Sequence, residues 1–243
     1  MLRLSFLFCG LLLAFCFTSQ NAIAADSKPP TIVIAIGEDE YHAKETLPAF
    51  AKAELEDKLH YNVKVVQSDD KTNMPGLEAL KQADLLIMFM RRRELPAAQL
   101  QLFKDYFDSG KPVVAIRTSC HAFQNWLEFD KVVLGCNYNN HYAAKGTIAI
   151  TPAAGAKDHP ILKGVSPVSF TSDSSLYKVM PLAGTCTPLL IGMWTDKPPE
   201  PVALTNTYKG GRVFFTSLGS PDDFKLPQFR QMLSNGVVWA LGK

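Results

Sequence analysis

The chain has 243 residues, 25 Lys and Arg against 23 Asp and Glu, and 47% hydrophobic residues. A formal charge of +2 leaves no basic field that would suit nucleic acid or an anionic membrane surface, so both are excluded as partners. The length is ample for one substantial core.

Residues 1–24 read as a secretory signal peptide. Arg3 supplies the positive start, Leu4 to Phe17 is almost wholly apolar, and Ala22-Ile23-Ala24 forms a cleavage site. The apolar run falls short of the roughly 20 residues that span a bilayer, and a phenylalanine precedes both Cys9 and Cys16, where lipid attachment favours a small residue. The expectation is an exported protein, periplasmic or extracellular, with no membrane span after signal removal. Residues 25–30 form a short tether, and residues 31–243 a single α/β domain. Of the five cysteines, Cys120, Cys136 and Cys186 remain after cleavage, too loosely spaced for a disulfide framework or zinc ribbon. One bridge with an odd thiol is open.

Thr31 to Gly37 is an uninterrupted apolar run, the pattern of a strand covered on both faces. A helix follows from about Lys44 to His60, with Leu47, Phe50, Ala51, Leu55 and Leu59 at helical spacing. Asn62 to Gln67 reads as a second strand, Pro75 to Gln82 as a short helix and Ala83 to Met90 as a third strand, followed by Arg91-Arg92-Arg93. Pro96 suits the first turn of the next helix, which buries Leu100, Phe103, Tyr106 and Phe107 and ends at Ser109-Gly110. Pro112 to Ile116 is the fourth strand and breaks at once into Arg117-Thr118-Ser119-Cys120-His121. Beyond Trp126 the texture changes. A polar, aromatic loop, Gly135 to Tyr142, precedes short strands at Thr147–Ile150, Leu176–Val179, Pro188–Ile191 and Pro201–Thr207, which suggest an antiparallel extension. Arg212 to Gly219 returns as a buried strand, Ser220-Pro221-Asp222-Asp223 marks a helix start, and Pro227 to Leu241 is the last helix. Alternating strands and helices with short loops predict a doubly wound, mainly parallel sheet with helices on both faces.

Several of these segments together resemble the ThuA-like (trehalose-utilisation) family: Gly37 to His42 after the first strand, Gly135 to His141, His159-Pro160-Ile161, Leu176-Tyr177-Lys178, Glu200 to Ala203, Gly211 to Gly219, and Asn235 to Leu241. The resemblance implies the class I glutamine amidotransferase-like version of the flavodoxin-type sheet and a role in carbohydrate metabolism. It also implies a departure. Amidotransferases place a nucleophilic cysteine at the turn after the strand corresponding to Pro112–Ile116. Here Arg117 stands at that turn, and Cys120, three residues on, lacks flanking glycines. Family members often carry a histidine where this chain has Ser220.

In an open α/β sheet the loops at the carboxyl ends of the strands converge on a crevice. Five should meet there: Glu38–His42, Arg91–Arg93, Arg117–His121, Asn137–Tyr142 and Ser217–Asp223. The candidate catalytic residues are His121, His141, Arg117 and His42, because histidine handles protons or a metal near neutral pH and arginine holds electron-rich oxygens. In this reading His121, four residues after Arg117, returns to the same side on the first turn of a helix. Candidate substrate-binding residues are Glu40, Tyr41, Arg91, Arg93, Ser119, Cys120, Asn139, Tyr142 and Asp222. At most two of the three consecutive arginines can face the crevice. Trp126 and Tyr138 join Tyr41 and Tyr142 as platforms for a sugar ring. A divalent metal is a candidate cofactor, with His42, His121 and His141 as nitrogen ligands and Glu40 or Asp222 supplying oxygen, although no local ligand spacing supports it. Bland roles compete: Thr118 or Ser119 as helix caps, His159 as a turn residue, His60 at a helix end. Function divides between an enzyme acting on a glycoside or an oxidised or keto sugar, without amidotransferase activity, and a non-catalytic module binding a sugar or a protein partner. A homo-oligomer or scaffold is a further alternative.

Overall fold

The computed structural model describes residues 28–142 and 146–243; the expected leader and residues 25–27 of the tether lie outside the described residues. Nine strands form one sheet in the order β2-β1-β3-β4-β11-β10-β9-β6-β7. Five are parallel: β2 (Asn62–Gln67), β1 (Thr31–Gly37), β3 (Leu85–Met90), β4 (Val113–Ile116) and β11 (Gly211–Thr216). β10 (Glu200–Tyr208), β9 (Thr187–Met193), β6 (Thr147–Pro152) and β7 (Phe170–Asp173) extend the sheet antiparallel from β11. This is the mainly parallel, flavodoxin-like α/β sheet with an antiparallel extension that the alternating pattern predicts.

The apolar runs of β1, β3 and β4 are buried because both faces of the sheet are covered. Period-two alternation divides each strand between two cores. Ile32, Ile34 and Ile36 pack under α1 (Ala43–Phe50) and α3 (Pro227–Ala240), against Leu47, Phe50, Phe229 and Leu233. Val33 and Ala35 join Leu86, Met88, Leu100, Phe103 and Phe107 under α2 (Ala97–Asp108). β10 and β11 are joined by Lys209-Gly210, both at positive φ (50° and 86°), as a two-residue hairpin turn compatible with the sheet twist requires.

Four expectations change. The first helix leaves α geometry after Phe50 for a π segment, Ala51–Glu56; Pro48, which lacks an N–H, lies inside the preceding helix. The short helix at Pro75–Gln82 is a 3-10 turn over Leu77–Gln82. The helix expected after β4 is a five-residue 3-10 turn, Arg117–His121. Finally, β8 (Leu176–Tyr177) leaves the main sheet and pairs with β5 (His141–Tyr142) in a separate ribbon. Beyond Tyr177 its continuation is captured: the buried Glu200 carboxylate accepts the N–H groups of Val179 (2.9 Å) and Met180 (3.2 Å). The short β7, Phe170-Thr171-Ser172-Asp173, was not expected as a strand at all.

Candidate functional site

The parallel strands end on one edge, and Arg117 occupies its centre. Its φ of 47° is left-handed, a strained conformation for a non-glycine residue and the kind of sharp turn that presents a nucleophile in related folds. Here it presents a cation. The guanidinium is buried (1% exposed) and lies over the rings of Tyr41 (4.1 Å) and Tyr177 (5.1 Å). Nη1 donates to the Ser217 carbonyl at 2.9 Å and Nη2 to the Ser175 hydroxyl at 3.2 Å, while Nε has no partner among the described residues. One side chain thus joins the loops after β1, β4 and β11 to the β5–β8 ribbon.

A 3-10 turn repeats every three residues, so Cys120 rather than His121 returns over Arg117. The Cys120 thiol donates to the Arg117 carbonyl at 3.3 Å. Burial drives its pKa well up, which leaves it an inert thiol. His121 swings to the adjacent side and stacks on Tyr138 (centroids 4.4 Å apart) and near Tyr177 (6.0 Å), whose other neighbour is His141 (6.1 Å). Burial, then the charges of Arg92, Arg91, Arg117 and His141, lower the His121 pKa to about 3. His121 is therefore a neutral imidazole across the physiological range. Burial pushes Tyr138 up to about 12 and Tyr177 well above its ordinary value, so both remain phenols. The rings beside Arg117 that reach the surface, those of Tyr41, His121, Tyr138 and His141, are partly exposed hydrogen-bonding groups. Beside it, Cys120, His121, Trp126, Asp130 and Tyr138 help line a cavity of about 150 Å³. That is below the roughly 300–1,000 Å³ of most small-molecule pockets, so a ligand would lie mainly against these partly exposed rings.

The other candidate residues divide by what they touch. Arg91 forms ion pairs with Glu40 (2.7 Å) and Asp39 (3.8 Å) at the rim. Arg93 is fully buried, its Nε donating to the Gly37 carbonyl (2.5 Å) and its Nη1 to that of Asp69 (3.1 Å), so it ties the β1 and β2 loops together. The arginine that sequence reasoning left out, Arg92, is the exposed one; its N–H bonds to the His121 carbonyl at 2.9 Å. The Ser119 hydroxyl donates to Met88 and accepts from Met90, fastening the turn to β3. Asp222 is exposed and paired with Lys225, whereas Asp223 is buried and accepts from Gly219, Ser220 and Ser172. Asn139 is exposed and bonds through its backbone to Lys178, whose ammonium lies 5.6 Å from the Tyr142 ring.

His42 is exposed at the left-handed entry to α1, 3.8 Å from Glu45, and lines a separate acidic cavity of about 230 Å³ with Glu38, Asp39 and Asp69. The three histidines do not form one cluster: among the described residues no group of three His, Cys, Asp or Glu is placed to hold a metal ion. Cys120, Cys136 and Cys186 are free thiols. The centre of the site also contains residues absent from the candidate set. Ser175 and Tyr177 arrive with the ribbon; Tyr177 stood in the Leu176-Tyr177-Lys178 segment of the resemblance without a role, and Ser175 had no signal of its own. Glu38 accepts from the N–H groups of Glu40, Tyr41 and Ala43, each at 2.7 Å, and so shapes the loop that carries Tyr41.

The sequence model of the ThuA family, described as trehalose utilisation, matches residues 32–240. Among solved structures the chain is similar to a ThuA-like protein from Parabacteroides merdae ATCC 43184, with TM-score 0.71 and 18% identity over 89% of this chain and 91% of that one. It is similar to another from Bacteroides uniformis ATCC 8492, with TM-score 0.69 and 19% identity over 90% and 94%. A β-galactosidase from Rahnella sp. R3 shares the fold over 87% of this chain and 31% of that one, with TM-score 0.55 and 14% identity. Likeness at these identities shows the fold alone. No curated protein matches the chain.

Proposed function

The chain belongs to the ThuA, trehalose-utilisation, family, and on that premise we propose that it is an exported protein acting on a carbohydrate, a glycoside or an oxidised or keto sugar. The observation that carries the reading is the ring cluster at the carboxyl edge of the sheet: Tyr41, Tyr138, Tyr177, His121 and His141 around a buried arginine. Aromatic faces take the apolar C–H faces of a sugar ring, while phenol and imidazole groups exchange hydrogen bonds with its hydroxyls. His121, neutral at physiological pH, offers one N–H donor and one ring-nitrogen acceptor and holds no imidazolium proton. Amidotransferase chemistry has no support here, since Arg117 takes the nucleophile's turn and Cys120 is a buried thiol.

The second reading, a non-catalytic module binding a sugar or a protein partner, is favoured by one observation. An imidazole with a pKa near 3 is a weak base for work at neutral pH. Incubating the purified chain with disaccharides and their keto forms, with and without divalent metal, separates the two. Turnover that falls by about 10²-fold or more in His121→Ala supports the enzyme; saturable binding without turnover throughout supports the module. His60→Ala, altering an exposed residue before β2, is the control. Export is tested by N-terminal sequencing of protein recovered outside the cytoplasm, with Ala25 as the expected first residue.

A further inference from the structure

Within the carbohydrate reading, on which this step rests, we propose that the crevice selects an anionic sugar, one bearing a carboxylate or a phosphate, and that Arg92 receives the anion at the rim beside His121. Two observations carry it. First, Arg117 is a buried cation whose hydrogen bonds go to a carbonyl and a hydroxyl, with its Nε unpartnered. Asp223 is the carboxylate nearest in effect, and its oxygens already serve Ser172, Gly219 and Ser220. A charge buried without a directly bonded counter-ion is costly; the Tyr41 and Tyr177 rings keep a ligand out of contact with it, but an anion held at the rim lies in its field.

Second, the arginine segment after β3 divides its charges unequally. Arg91 is offset by Glu40 and Asp39, and Arg93 is fully buried with Nε and Nη1 on backbone carbonyls and Nη2 unpartnered, out of reach of a ligand at the rim. Arg92 is exposed, sits at φ 47°, and makes no ion pair among the described residues. Its backbone bond to the His121 carbonyl fixes it next to the ring cluster. The carboxylates of the β1 loop are thus spent on Arg91, Lys71 and the start of α1. On the His121 side the strongest charges acting on the imidazole are the guanidiniums of Arg92, Arg91 and Arg117. A guanidinium fork at the rim pairs with either a carboxylate or a phosphate, and the rings beside it take the rest of the sugar.

The test is calorimetric titration of the mature chain with D-glucuronate, D-galacturonate, D-glucose 6-phosphate and D-glucose at low and high salt. At least one acidic sugar should bind about tenfold or more tightly than glucose, with an advantage that shrinks as salt rises. Preference for the uronates names a carboxylate; preference for the ester names a phosphate. Arg92→Gln should remove the advantage, while Arg212→Gln, the same charge change at the opposite end of β11, should retain it. Glucose binding as tightly as every acid overturns the inference and leaves the carbohydrate reading standing. Failure of all four sugars overturns this inference and counts against that reading as well. An unchanged preference in Arg92→Gln overturns the placement.

Discussion

His121 shows how the surroundings of one side chain set its chemistry. Its pKa near 3 lies below the 6.5 of an unperturbed imidazole, so between those values the unfolded chain binds a proton that the folded chain refuses. Folding stability must therefore fall as pH drops from 6.5 toward 3, and the contribution vanishes above 6.5, where both states are neutral. The groups facing the ring are Arg91, Arg92, Arg117 and His141, with Cys120, Tyr138 and Tyr177 in contact or close to it. Replacing it by glutamine removes that proton linkage. In thermal melts, His121→Gln should gain on the parent protein as pH is lowered from 7 to 5; a pH-independent difference would mean that the native imidazole ionises normally. The cysteines follow the same logic of burial. Burial raises the pKa of all three, but Cys186 is partly exposed while Cys120 and Cys136 are buried, so a thiol reagent should label Cys186 in the native protein and the other two only on unfolding. Rapid native labelling of Cys120 would reopen it as a nucleophile.

At the scale of the element, α3 contains a residue for which propensity and packing give opposite answers. Gly236 lies in the helix interior, where alanine is normally favoured by about 1 kcal/mol. An added methyl would sit 2.3 Å from the Phe214 ring of β11, so the helix can approach the sheet only because that position is bare. Overpacking of this kind costs about 1–3 kcal/mol, which outweighs the propensity gain. Gly236→Ala should lower the denaturation midpoint; a rise would show that α3 stands farther from β11. The elements themselves were legible where burial dictates pattern. Strands covered on both faces cannot hide their apolar runs, and β1, β3, β4 and β11 were read accordingly. Elements ended by side chains were not. Nothing in Leu176–Val179 announces that Glu200 will take the next two N–H groups and turn that strand into a ribbon, and Phe170–Asp173 is too polar to read as a strand until β6 pairs with it.

Over the whole molecule the sequence placed the candidate loops at one end of the sheet but misjudged how deep their side chains lie. The loops at the strand ends do converge, yet Arg117 and Arg93 are buried where exposed heads were expected, Arg92 is exposed where it was passed over, and His42 lies apart from the other two histidines. Which of three consecutive arginines turns inward depends on a left-handed residue at Arg92 and on waiting carbonyls at Gly37 and Asp69, neither of which has a local sequence signal. The same geometry makes Arg117 a joint for the molecule. It reaches Tyr41 after β1, Ser217 after β11, and Ser175 and Tyr177 of the ribbon, segments up to 176 residues apart in sequence between Tyr41 and Ser217. Arg117→Met keeps bulk and removes the donors, leaving the buried Ser217 carbonyl without this partner at a cost of about 1–3 kcal/mol. The sheet should survive, since both its cores are independent of the guanidinium. Amide exchange should then speed up together in the Tyr41 loop, around Ser175–Tyr177 and at Ser217–Gly219, with the interior of β1 and β3 unchanged. Faster exchange confined to Arg117–His121 would mean that those loops are held by their own carboxylate anchors, Glu38, Glu200 and Asp223, and that the arginine is a passenger in the crevice rather than its joint.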